Sequence, residues 1–210
     1  MRRFRDRSEA GRELGERLAE KYAGRPDVLV LALPRGGVVV GREVAERLDA
    51  PLDVLIVRKL GFPGQSELAM GAIATGGVRV LNEALLAQTG VSQALVDDVV
   101  ARELVELERR ESLYRGGRPA PDVAGKTILA VDDGLATGST MLAAVRALRS
   151  LGAGRVVVAV PTAPRQTCEA LEGVADEVVC LGQPDPFYAV GLSYEDFAEV
   201  TDDEVRRLLA

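Results

Sequence analysis

TILAVDDGLATGST, residues 127–140, sets the architecture expected of this chain. It begins with an apolar run, 128–131, rich in branched residues, which reads as a strand buried on both faces within a parallel sheet. Two carboxylates, Asp132 and Asp133, follow at once. Residues 134–138 form a short loop, and a helical pattern then runs over about 139–151. Strand, paired acids, small-residue loop and helix start, in that order, suit a phosphorylated sugar. The carboxylates can accept hydrogen bonds from vicinal hydroxyls. The loop amides and the hydroxyls of Thr137, Ser139 and Thr140 can surround a phosphate at the positive end of the helix dipole.

The same alternation extends to both sides. Upstream, the run 28–33 (VLVLAL) is apolar on both faces and reads as a central strand. It leads into Pro34-Arg35-Gly36-Gly37 and a helix-like segment, 38–48. The glycines allow close backbone approach and Arg35 adds a forked donor, so this turn can wrap an anion. Ahead of it a helix is expected from Ser8, with Ser8 as its cap and Leu14, Leu18 and Tyr22 in register. The four arginines among the first seven residues read as a solvated end. A second strand, 53–57, ends in Arg58-Lys59. A loop with two glycines and a proline, 60–68, follows, then a hairpin of 69–74 and 78–81. A short helix at 82–88 and a long one capped by Ser92, with Val96, Val100, Leu104 and Leu107 on one face, lead through the linker 115–125 to the acid pair. Beyond it come a strand at 155–160, a helix to about 171 and a strand at 177–181. Thr201 and Glu204 form a capping box for a terminal helix. This order predicts an α/β fold: a mainly parallel, doubly wound sheet with ligands at the strand C-termini. Arg35, Arg58, Lys59, Asp132, Asp133 and residues 161–165 all fall at that edge.

Composition narrows the chemistry. At 210 residues, 47% hydrophobic and 28% charged, the chain fits one globular domain with a substantial core. A formal net charge of -6 opposes non-specific nucleic-acid binding. The absence of histidine excludes Ser-His-Asp and Cys-His catalysis and His-containing zinc sites. Cys168 and Cys180 are too few for a metal cage and read as buried thiols of a reducing cytoplasm. No uncharged apolar run approaches the roughly 18 residues of a membrane span. A cytoplasmic location is expected.

At residues 131–140, VDDGLATGST is similar to the signature of type I phosphoribosyltransferases: an apolar strand, two acids, three mixed residues, then Thr-Gly-x-Thr. The resemblance implies 5-phosphoribosyl-1-pyrophosphate (PRPP) as ligand, with Asp132 and Asp133 facing the ribose diol and acting as the catalytic acids. Ala136, Thr137, Gly138, Ser139 and Thr140 would hold the 5-phosphate. Arg35, Gly36 and Gly37 would bind pyrophosphate from a loop that often contains a cis peptide, here Pro34–Arg35. Residues 60–68 stand where the family carries a mobile lid, with Lys59 beside the pyrophosphate and Glu67 as a substitute proton acceptor. Mg²⁺ is expected as cofactor, held mainly through PRPP and in part by Asp132 and Asp133. The implied architecture is one domain over 1–210, with a core at about 26–181 and a hood at about 182–210. The implied partners are PRPP and a small nitrogenous acceptor, and the implied assembly is a homodimer.

The tail PDPFYAVGLSYEDF is similar to that of purine phosphoribosyltransferases, in which an aromatic ahead of Val-Gly stacks on the base. Phe187 or Tyr188 would take that place. The chain departs from the purine pattern in three ways. Ser193 lies near the position of an expected acid, no lysine stands in 161–165, and Ala136 replaces an aspartate ahead of Thr-Gly. The implied activity is transfer of ribose 5-phosphate from PRPP to a nucleobase with release of pyrophosphate. The alternative is a non-catalytic PRPP or nucleotide sensor.

Overall fold

A computed structural model describes residues 3–62 and 65–210, and of 65–68 the backbone alone. The first half comprises α1 (Arg7–Tyr22), β1 (Val28–Ala32), α2 (Gly36–Leu48), β2 (Leu52–Val54), β3 (Val57–Phe62), β4 (Gln65–Ala74) and β5 (Val78–Leu81). Next come α3 (Glu83–Thr89), α4 (Gln93–Arg115), β6 (Thr127–Val131), α5 (Ser139–Ser150) and β7 (Arg155–Thr162). The chain continues through α6 (Arg165–Glu172) and β8 (Glu177–Gly182) to α7 (Asp202–Leu208).

Five parallel strands form the central sheet in the order β2-β1-β6-β7-β8. The strand that carries the acid pair, β6, is the middle one. Its burial on both faces follows from strand alternation. Leu29, Leu31, Ile128, Ala130, Val156 and Val158 pack with Met141, Val145 and Leu148 of α5 and Leu171 of α6. Their neighbours Val28, Val30, Leu129, Val131, Val157 and Ala159 pack on the opposite face with Leu14 and Leu18 of α1 and Val40 and Val44 of α2. Each fully buried Val or Leu contributes roughly 1.5–3 kcal/mol. The expected α/β architecture, a parallel sheet flanked by helices on both faces, is therefore present.

Two stretches differ from expectation. The expected strand 53–57 is divided. β2 ends at Val54, and β3 begins at Val57 in a separate antiparallel sheet, β3-β4-β5. The switch is pinned at Thr75, whose Oγ1 accepts from the Ile56 amide at 3.0 Å while its own amide donates to the Ile56 carbonyl. Leu60, Met70 and Ile73 then bury against Val96 and Val100 of α4. That burial draws most of the expected loop 60–68 into strands. Pro63, Gly64 and the side chains of Gln65, Ser66, Glu67 and Leu68 lie outside the described residues, and the expected lid, with Glu67, falls largely there.

The N-terminus also differs. Asp6, not Ser8, caps α1, its Oδ1 accepting from the Glu9 amide at 2.7 Å. Phe4 forms a parallel bridge with Tyr194, so the chain's beginning lies against the segment that follows β8. No helix among the described residues is long and apolar enough to cross a membrane.

Candidate active site

Asp132 and Asp133 leave the C-terminal end of β6 half-buried. Each has one carboxylate oxygen occupied by the protein. Asp132 Oδ1 accepts from the Asp133 amide at 2.8 Å, and Asp133 Oδ2 accepts from Arg7 Nε at 2.7 Å. Among the described residues no other amide, hydroxyl or cation reaches either side chain, and the two carboxyls interact with each other. One oxygen of each carboxyl is thus free of any protein amide or cation. Tyr194, fully buried, donates its hydroxyl to the Asp133 carbonyl and fixes the backbone beneath.

The facing wall is the β1–α2 turn, where the Pro34–Arg35 peptide is cis. A Cβ on Gly36 would stand 1.9 Å from Asp133 Oδ2, and one on Gly37 would stand 3.0 Å from Asp132 Oδ1. No side chain fits at either position, so the glycines are what allow this turn to close on the acids.

The third wall is the loop before α5. Gly138 occupies the left-handed region at φ 71°, and a Cβ there would stand 2.6 Å from Thr167 Cγ2. Thr167 Oγ1 donates to the Ala136 carbonyl at 2.7 Å, tying the loop to α6. Thr137 Oγ1 and Ser139 Oγ lie 3.1 Å apart, with Ala136 and Thr137 exposed. Neither α2 nor α5 carries a side-chain cap. The Ser139 amide donates to Thr137 Oγ1 at 3.4 Å and the Val38 amide to the Arg35 carbonyl at 3.1 Å; the remaining first-turn amides keep the donor capacity that a helix N-terminus ordinarily gives to an anion.

The carboxyls respond to this enclosure. Burial pushes the Asp132 pKa well above the usual carboxylate range, and the neighbouring Asp133 charge adds to the rise. Burial also raises Asp133, against the opposing pull of the Arg7 guanidinium. The pair as a whole therefore keeps a proton to higher pH than ordinary carboxyls do.

Several expected site residues are placed otherwise. Arg35 turns from the acid pair to Glu199 and lies 4.0 Å from Asp202. With two carboxylates of the C-terminal segment beside it, the guanidinium is already paired. Arg58 pairs with Glu103 of α4 at 2.6 Å, which takes it out of the site. Lys59 lies exposed in β3, not at the end of a central strand. Phe187 is half-buried and lines a cleft of about 460 Å³ with Pro164, Arg165, Gln183 and Asp185, whereas Tyr188 is 79% exposed. Ser193 is buried and bonded to Thr162 Oγ1 at 2.9 Å, a packing role.

The residue that the sequence reading missed is Arg7, assigned there to a solvated end. It sits at the first position of α1, where a cation opposes the helix dipole. With the helix expected from Ser8, that placement was not visible in the sequence.

Fold and site together define the class: a doubly wound α/β protein with open carboxylate oxygens and uncapped helix N-termini gathered at one edge of its sheet. The family model for the phosphoribosyl transferase domain matches residues 6–196. The chain belongs to that family. It is 50% identical over 205 residues to a protein of Mycobacterium tuberculosis (strain ATCC 25618 / H37Rv) named "Putative phosphoribosyl transferase Rv0571c". That match covers 98% of this chain and 46% of the relative, so the chain spans about half the relative's length. The crystal structure of TT1426 from Thermus thermophilus superposes with a TM-score of 0.89 at 46% identity, covering 100% of this chain and 98% of that one. The structure of AQ2163 protein from Aquifex aeolicus shares the fold at a TM-score of 0.51 and 12% identity, covering 83% of this chain and 73% of that one.

Proposed function

We propose that the protein transfers ribose 5-phosphate from PRPP to a ring nitrogen of a nucleobase. The C1–oxygen bond to pyrophosphate breaks, the C1–nitrogen bond forms, and pyrophosphate leaves, with the ring nitrogen's proton passing to the pyrophosphate or to water. The observation that carries this reading is the pair of open oxygens on Asp132 and Asp133, set beside the uncapped starts of α2 and α5. Two adjacent acceptors match two vicinal hydroxyls. The amides and hydroxyls of Ala136, Thr137, Gly138, Ser139 and Thr140 suit the 5-phosphate. The amides of Gly36 and Gly37 suit the pyrophosphate, joined by Arg35 once an anion competes with Glu199 for its guanidinium. Phe187, half-buried, suits the backing of an acceptor ring better than the exposed Tyr188.

Among the described residues no group of three or more acidic or Cys side chains is arranged for a metal ion. The acid pair alone suits Mg²⁺ as a minor contributor, since that ion keeps water and substrate phosphate among its ligands. When bound, Mg²⁺ supplies charge neutralisation at the pyrophosphate. The chain's own contribution is to orient the sugar and exclude water, with no covalent nucleophile.

Pyrophosphate release from PRPP, measured across a panel of nucleobases, tests the proposal. Turnover with one base supports it. Tight PRPP binding without turnover on any base would instead make the protein a PRPP sensor.

A further inference from the structure

Arg7 belongs to the N-terminal helix, outside every segment that forms the phosphate and pyrophosphate walls, yet it touches the acid pair directly. Its side chain is 11% exposed and is held at three points. Nε donates to Asp133 Oδ2 at 2.7 Å, Nη1 donates to the Ala198 carbonyl at 2.7 Å, and the guanidinium lies 3.8 Å from the centroid of the Phe197 ring. Phe197 stacks on Tyr194 at 5.0 Å and 26°, and Tyr194 donates to the Asp133 carbonyl. The two ends of the chain thus grip both the side chain and the backbone of Asp133.

We propose that Arg7 is a positioning residue for the ribose diol: by occupying Asp133 Oδ2 it fixes the carboxylate with Oδ1 open to the sugar. The inference rests on the phosphoribosyl-transfer reading. An aspartate side chain has two soft torsions, and an unheld carboxylate can present either oxygen or rotate toward a neighbouring amide. Gly36 packs against the Oδ2 side, where a Cβ would lie 1.9 Å from Oδ2 and 2.9 Å from Arg7 Nε. Turn and arginine therefore close that side together. A planar guanidinium can stack on Phe197 while donating in two directions, which an ammonium cannot do. A cation at the start of a helix is otherwise unfavourable, and Asp133 compensates it.

The test uses the full chain and its Arg7→Gln and Arg7→Lys variants, titrated calorimetrically with ribose 5-phosphate, 2-deoxyribose 5-phosphate and inorganic phosphate. Wild type is expected to prefer ribose 5-phosphate over the deoxy sugar by about 10- to 100-fold, the scale of one hydrogen bond to a charged group. Arg7→Gln should lose that preference while binding inorganic phosphate unchanged, and Arg7→Lys should restore part of it. Retention of the preference in Arg7→Gln overturns the proposal, as does an equal loss for all three ligands in a folded variant. If Arg7→Gln does not fold, Phe197→Leu decides, since it loosens the guanidinium without removing charge. A preference as strong as wild type's there overturns the proposal, and a reduced one supports it. A wild type that binds phosphate but shows no sugar preference sinks the diol assignment of Asp132 and Asp133 itself.

Discussion

Asp132 and Asp133 stand side by side but have different neighbours, and that difference separates their expected mutants. Asp133 has a cation on one oxygen, so Asp133→Asn removes a charged acceptor without leaving a buried acid unpaired. A hydrogen bond to a charged group contributes roughly 1.5–3 kcal/mol, so affinity for PRPP should fall about 10- to 100-fold. Unchanged affinity by calorimetry would contradict the diol assignment. Asp132 has no cation of its own, and burial raises its pKa. The folded state then holds the proton more tightly than the unfolded state, so stability falls as pH rises from the ordinary carboxylate range up through the raised folded value. Asp132→Asn should therefore melt higher at neutral pH, by about 2–4 °C for each ~1 kcal/mol gained, while losing ligand affinity. A lower melting temperature would show that ionised Asp132 stabilises the fold. Both acids were legible from sequence because strand, acid pair and Gly-rich loop are contiguous. Arg7 was not: its partner is 126 residues away, and a local pattern holds no information about that pairing.

At the level of elements, the helix N-termini fall into two groups. Asp6, Asn82, Ser92 and Thr201 cap α1, α3, α4 and α7 with side-chain oxygens. The three helices that follow parallel strands of the central sheet, α2, α5 and α6, have no side-chain cap. Open amides at that edge are a cost to the free protein that an anionic ligand offsets. Gly138→Ala tests the α5 start. Its left-handed φ and the 2.6 Å approach to Thr167 oppose a side chain, so about 1–2 kcal/mol of stability should be lost. The larger effect is expected on phosphate affinity, read by calorimetry against wild type. If phosphate affinity is unchanged, this loop is not the phosphate site. The alternation of strands and helices was readable because each central strand is apolar throughout. β3 was not, because its glycine and neighbouring proline resemble a loop, and only burial of Leu60 beneath α4 makes it a strand.

Across the whole molecule, α1 runs from the C-terminal end of the sheet's strands to their N-terminal end. Its sixteen residues span about 24 Å, from Arg7 on the acid pair to Lys21 and Tyr22 at the opposite end. There Glu177, at the start of β8, receives Lys21, the Tyr22 hydroxyl at 2.6 Å and Arg155 at 3.0 Å. Burial alone would raise the Glu177 pKa, but these three donors outweigh it and hold it at about 2. A depressed carboxylate pKa stabilises the fold above the unfolded value, near 4.3, and that contribution is lost as pH falls toward 2. Glu177→Gln should therefore melt below wild type at pH 7, and the two curves should converge between about pH 4.5 and 2. A gap that persists at pH 2 would mean the loss comes from packing, not from the carboxylate's charge. Because α1 also packs along α2, the variant should keep its docking and its discrimination between ribose and deoxyribose 5-phosphates. Loss of that discrimination at neutral pH would instead show that Arg7 is positioned from the far end of its helix.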